Sequence, residues 1–132
     1  MEEITLVKEA VHRPDEPRHF MEYTYPEGRY VARVDGVVIA DTTRIMKLSE
    51  VGYHIYDPVL YFPLDDAVMG HLDATAKSSH CPLKGDTHYF DFVDGGSRRA
   101  DIGWCYSRPL DFAQTLSNYV AFDRSQVDIT SE

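Results

Sequence analysis

The chain has very little cysteine. Cys81 and Cys105 are all it holds, too few to define a disulfide framework, and a reducing compartment keeps such a pair as thiols. Long apolar runs are missing too: no stretch approaches the roughly 20 residues that cross a bilayer. The start, MEEITLVKEA, lacks the cationic then apolar order of a signal peptide. A cytoplasmic protein with no membrane partner is therefore expected. Basic side chains are also scarce, 13 Lys and Arg against 22 Asp and Glu, for a net charge of −9. Such a surface repels polyphosphate over the range of a Debye length, so no nucleic-acid partner is expected.

What is present suits a globular β protein. Hydrophobic residues make up 43% and charged residues 27%, while nine tyrosines lead an aromatic share of 12% that favours strands. At 132 residues one core can form without staples, since a chain of this size buries about two-thirds of its unfolded surface. No internal repeat or low-complexity tract supports a second domain. Residues 1–28 read as an N-terminal arm or peripheral strand, broken by Pro14, Asp15, Glu16 and Pro17. Residues 29–132 read as a single β-rich domain.

The strand signals start at Arg29. RYVARV and VVIAD flank Asp35-Gly36, a dipeptide able to take the positive φ angles of a two-residue hairpin turn. A third strand is expected over Arg44 to Leu48, ended by Gly52, and VLYF at 59–62 gives another, closed by Pro63. LDDAVMGHL offers a helix of at most about two turns, with Asp65 and Asp66 at its positive end. HYFDFV at 88–93 and the segment 98–107 read as a hairpin about Asp-Gly-Gly, which makes Asp91, Asp94 and Asp101 outward positions. Asp111 can cap a short helix through Leu116, and YVAF at 119–122 is the last strand expected. The fold class is mainly β (α+β): antiparallel sheets in an open barrel or tent-like arrangement, with one or two short helices.

HCPLKG, residues 80–85, concentrates the chemistry. A cysteine reacts as its thiolate, a form that Lys84 or a protonated His80 favours. Pro82 fixes one φ and Gly85 permits an unusual one, so the turn can hold Cys81 and Lys84 in a fixed relation. Asp86 can pair with Lys84. Tyr61, Trp104 and Tyr106 belong to the strands expected beside the turn, with Trp104 and Tyr106 on one face together with Ile102. An apolar wall with a few polar groups is the usual make-up of a small-molecule pocket. The same residues also suit a plain turn, since cysteine is commonly buried and proline and glycine serve turns for backbone reasons. His80, Cys81, His88 and Cys105 total four zinc-type donors, but adjacent His-Cys ligands without a Cys-x-x-Cys pair do not match a standard zinc site, and no cofactor or metal is expected.

The blocks VVIADTTRIMKL, GYHIYDPVLYFPLDDAVM, SSHCPLKGDTHYFDF, IGWCYSRPL and NYVAF resemble, in that order, domain of unknown function family 427. The likeness runs over about residues 29–128. Its most specific motif is Cys-Pro-x-Lys-Gly, here Cys81 to Gly85, and the chain departs from the usual pattern at Leu83 and Asp123. The resemblance implies a small β-rich fold with an open, tent-like or barrel-like sheet arrangement. A nucleotidyltransferase label attached to the family implies a Gly-Ser turn followed by paired acids that hold magnesium. Gly96-Ser97 has no Asp-x-Asp after it, and the adjacent Asp65 and Asp66 would point to opposite faces of a strand. That activity is not expected.

The leading expectation is a pocket around the Cys-Pro-x-Lys-Gly turn that binds a small anionic ligand, with Lys84 contacting the anion and Tyr61, Asp86, Trp104 and Tyr106 contributing. The alternative is an enzyme with Cys81 as nucleophile and His80 or His88 as base, the turn's N–H groups stabilising an oxyanion. A non-catalytic accessory or oligomerisation domain, such as a homodimer, is the third expectation.

Overall fold

A computed structural model describes residues 11–13, 16–51, 57–81, 85–109 and 116–132. Among them are strands β1 Val11–Arg13, β2 Glu16–Thr24, β3 Tyr30–Val34, β4 Val37–Thr42, β5 Met46–Val51 and β6 Val59–Pro63. They continue with β7 Leu72–Cys81, β8 Gly85–Asp94, β9 Ser97–Pro109, β10 Tyr119–Phe122 and β11 Asp128–Ser131. An eight-stranded sheet runs β1-β2-β5-β6-β10-β9-β8-β7, and a three-stranded sheet runs β11-β3-β4. Among the described residues every strand pairing is antiparallel. The sheets are not closed into a barrel, and the mainly β expectation holds.

Turn chemistry sets the two hairpins that lead to the site. Asp35 and Gly36 both have positive φ, 50° and 81°, the pair of left-handed positions that a type I′ turn needs and that Asp-Gly tolerates. Gly95, at φ 58°, turns β8 into β9, and Asp94 faces Ser97 across that turn.

Register explains the core. Directly opposed residues share a face of a sheet, so Ser78, His88, Cys105, Val120 and Phe62 form one row across β7, β8, β9, β10 and β6. Cys105, Val120 and Phe62 belong to the buried cluster that includes Ala32, Val34, Ile39 and Ala40 of the small sheet. This row therefore looks toward the small sheet. Phe62 and Phe122 meet there with ring centres 5.5 Å apart, and each such side chain contributes about 1.5–3 kcal/mol by leaving water. One residue along, Tyr89, Trp104, Ala121, Tyr61 and Met46 form a second row over five strands. Alternation puts this row on the opposite face, where Tyr61, Ala121 and Met46 pack in a separate buried cluster with Leu48, Tyr106 and Leu116.

The structure corrects several local expectations. The segment after β6 is not one helix but two single 3₁₀ turns, Leu64–Asp66 and Met69–His71. Between them the Val68 N–H donates to the Ile39 carbonyl at 2.7 Å, so β4 takes a backbone donor that an α-helix would use internally. Asp66 accepts a 2.7 Å bond from the buried Thr42 hydroxyl and lies 3.2 Å from Arg44. Its carboxylate ties the turn to β4. The third strand starts at Met46 rather than Arg44 and ends at Val51. Strands β7 and β11 were not expected. The helix expected at Asp111 lies, apart from Leu116, outside the described residues.

Asp91 points away from the core-facing Phe90 and Phe92, as expected, but it pairs with Arg98 and is only 9% exposed. Its Oδ1 accepts the Asp101 N–H at 3.0 Å, and Asp101 itself sits at φ 55°. The β8–β9 register shifts here, Phe92 facing Arg99 while Phe90 faces Gly103. The resulting bulge breaks the alternation assumed for Ile102, which packs in the core between the sheets rather than beside Trp104 and Tyr106.

Candidate functional site

The strands flanking the Cys-Pro-x-Lys-Gly turn place its neighbours opposite each other: Ser78 faces His88, Ser79 faces Thr87, His80 faces Asp86 and Cys81 faces Gly85. The β7–β8 pair thus carries the turn at its end. Pro82, Leu83 and Lys84, and the Cys81 side chain, lie outside the described residues. Ser78, Ser79, His80, Asp86 and His88 line an open cleft of about 430 Å3.

One hydrogen bond organises that cleft. His80 Nδ1 lies 2.9 Å from Asp86 Oδ1, so the described partner of Asp86 is the histidine before the turn. A carboxylate only accepts, so the bond needs Nδ1–H and leaves ligand chemistry at His80 to Nε2. Ser79 Oγ lies 3.0 Å from the Tyr89 hydroxyl, so this hydroxyl turns to the face that Tyr89 shares with Trp104, away from His80 and Asp86.

The remaining expected site residues assemble elsewhere. Tyr61 is 1% exposed, and the Trp104 indole N–H donates to its hydroxyl, which also shares a hydrogen bond with Tyr106. Burial is the largest cause of a Tyr61 pKa well above the ordinary phenol value. Tyr61, Trp104 and Tyr106 are thus brought together as expected, but on the face opposite His80 and Asp86. The sheet itself separates the two groups. Cys105 lies on the cleft side of the sheet, in the core, as a free, buried thiol whose pKa burial pushes up. A Cys81–Cys105 disulfide is not formed.

The acids of the second hairpin are committed to cations. Arg98 spans Asp91 and Asp73 at 2.7 Å each, and Lys77 meets Asp101 at 2.7 Å. Among the described residues no group of three or more His, Cys, Asp and Glu is placed to hold a metal ion. None of their helices is long and apolar enough to cross a membrane.

Residues 27–132 match the family described as Domain of unknown function (DUF427). The chain belongs to that family. No curated protein matches it. The family supplies no activity, so the chemistry of this DUF427 chain rests on its own geometry.

Sequence reasoning reached His80, Asp86 and His88, but not Ser78 and Ser79, though both stand in the SSHCPLKG block. It also missed the residues that join Tyr61, Trp104 and Tyr106 on the outer face: Tyr23 and Tyr119 pack against that cluster. Only the register shows that they meet.

Proposed function

We propose that this DUF427 chain is a small-molecule-binding domain that holds an anionic ligand in the cleft beside the Cys-Pro-x-Lys-Gly turn. The observation that carries this reading is the His80–Asp86 bond of 2.9 Å in a cleft lined by Ser78, Ser79 and His88. The Ser78 hydroxyl and an imidazole N–H can donate to an anion, and Asp86 fixes the ring of His80. Lys84, one residue before β8 in sequence, supplies the lasting positive charge. The test is a thermal-shift screen of small carboxylates and phosphates, repeated on Lys84→Ala and His80→Ala. Both variants should melt like the parent without ligand and lose the ligand-induced shift. Equal shifts in parent and variants would rule the cleft out.

A second reading, catalysis with Cys81 as nucleophile, is favoured by the same bond, because a carboxylate on one imidazole nitrogen is how a general base is oriented. The rate of Cys81 alkylation against pH, with Cys105→Ser as background, tests it. A fast reaction with an apparent pKa well below about 8.5 supports a catalytic thiol. Alkylation that speeds up only in denaturant removes it.

A further inference from the structure

The cleft beside the turn reaches the edge of the large sheet. β7 is the end strand of the order β1-β2-β5-β6-β10-β9-β8-β7, so among the described residues no strand pairs with its outer side. Residues 76–80 are all exposed. Ser79 lines the cleft although its hydroxyl bonds Tyr89 on the other face, so what the cleft meets at Ser79 is the strand edge.

One part of that edge is fit to take a further strand. Upstream the register shifts between Ala74 and Ser78, and the Lys77 N–H is committed to Thr75 Oγ1 at 3.3 Å. A bulge and a used donor interrupt regular pairing there. From Ser78 the ladder is regular: Ser78, Ser79, His80 and Cys81 face His88, Thr87, Asp86 and Gly85 in turn. Alternate residues of an antiparallel edge strand aim their N–H and C=O outward, so this stretch offers main-chain partners to a segment of only a few residues. His80, held through Nδ1 by Asp86, belongs to the same stretch.

We infer that the occupant of this cleft is the C-terminal end of a peptide, which adds to the β7 edge along Ser78–Cys81 and sets its terminal carboxylate against Ser78 and His80. This rests on the anionic reading of the cleft and names the class of anion. Running antiparallel to β7, the peptide ends beside Ser78, where the bulge stops a longer strand. Main-chain hydrogen bonds then supply affinity and the carboxylate supplies selection for a chain end. The net charge of −9 favours basic residues in the rest of such a peptide.

The full chain is titrated by calorimetry with a panel of acetylated pentapeptides, Lys-Thr-Val-Thr followed by a varied last residue, each as the free acid and as the amide. Acetate and inorganic phosphate serve as small-anion controls. The best acid should bind about ten- to a hundred-fold more tightly than its amide. Of two versions N-methylated at successive residues, the one whose N–H faces β7 should weaken about ten-fold and the other should not. Amide hydrogens of residues 78–81 should gain protection from exchange. Binding of acetate or phosphate without binding of any peptide acid would overturn the inference and leave the anion cleft standing, whereas no binding of any probe removes both. Equal affinity of acid and amide, or of the two methylated peptides, would also overturn it.

Discussion

Asp91 holds Asp101 in a left-handed conformation: its carboxylate accepts the Asp101 N–H at 3.0 Å while Asp101 sits at φ 55°. Aspartate is among the few residues that visit this region at modest cost, and the Asp91 bond supplies the partner that β8 would otherwise give. The bulge lies directly before Ile102 and Trp104. It sends Ile102 into the core and leaves Trp104 on the outer face.

Asp91→Ala should therefore cost about 1–3 kcal/mol, because the Asp101 N–H loses its acceptor and the Arg98 guanidinium loses one of its two. The Asp101 N–H, followed by Arg98, lowers the Asp91 pKa. The folded chain thus binds fewer protons at Asp91 than the unfolded chain does near pH 4. The contribution is complete above that pH and is lost as pH falls through the lowered folded value. Denaturant unfolding between pH 3 and pH 6 checks the sign: Asp91→Asn should flatten the acid side of the parent's stability profile. A parallel profile would show that the carboxylate's charge is irrelevant.

Gly103 is the next test of the same strand. A Cβ there would stand 3.0 Å from the Ala121 carbonyl oxygen and 3.0 Å from Phe122 Cδ1. The phenyl ring can shift, but the carbonyl is fixed by the β9–β10 pairing. Gly103→Ala should lower stability by about 1–3 kcal/mol through overpacking. The readout is the urea midpoint at unchanged slope, and a midpoint equal to the parent's would show that β10 yields.

The sequence signals that proved legible are those with a local cause. Asp35-Gly36 and Asp94-Gly95-Gly96 announce hairpins because positive φ restricts residue choice, and VLYF and YVAF are strands because apolar residues fill their buried positions. Strand β7 hides because residues 73–80 are largely exposed, so no alternation marks them. Its order comes from pairing with β8, and its register irregularity between Ala74 and Ser78, together with Lys77, blunts an otherwise open edge. β11 is similarly polar. Pairing with β3 and the contacts from Arg33 to Thr130 and Glu132 hold it. For the site, HCPLKG pointed to the right hairpin, and His80 and Asp86 do meet. The division of that site from Tyr61, Trp104 and Tyr106 could not be read, because it depends on which residues of β8, β9, β10 and β6 face one another.

Two phenols give the alkaline prediction. Burial is the first cause of the raised pKa of both Tyr23 and Tyr61, the latter well above its ordinary value. In the unfolded chain a tyrosine begins to lose its proton near pH 10. Above that pH the unfolded state binds fewer protons at these positions than the folded state, so stability falls as pH rises. Below about pH 9 both states are protonated and these groups add no pH dependence. Absorbance of ionised tyrosine during alkaline titration should therefore rise in two phases, the second together with loss of the strand signal in circular dichroism. Tyr23→Phe should shrink the second phase by one tyrosine and delay unfolding. A single phase completed while the sheet is intact would mean that the outer-face phenols are open to solvent.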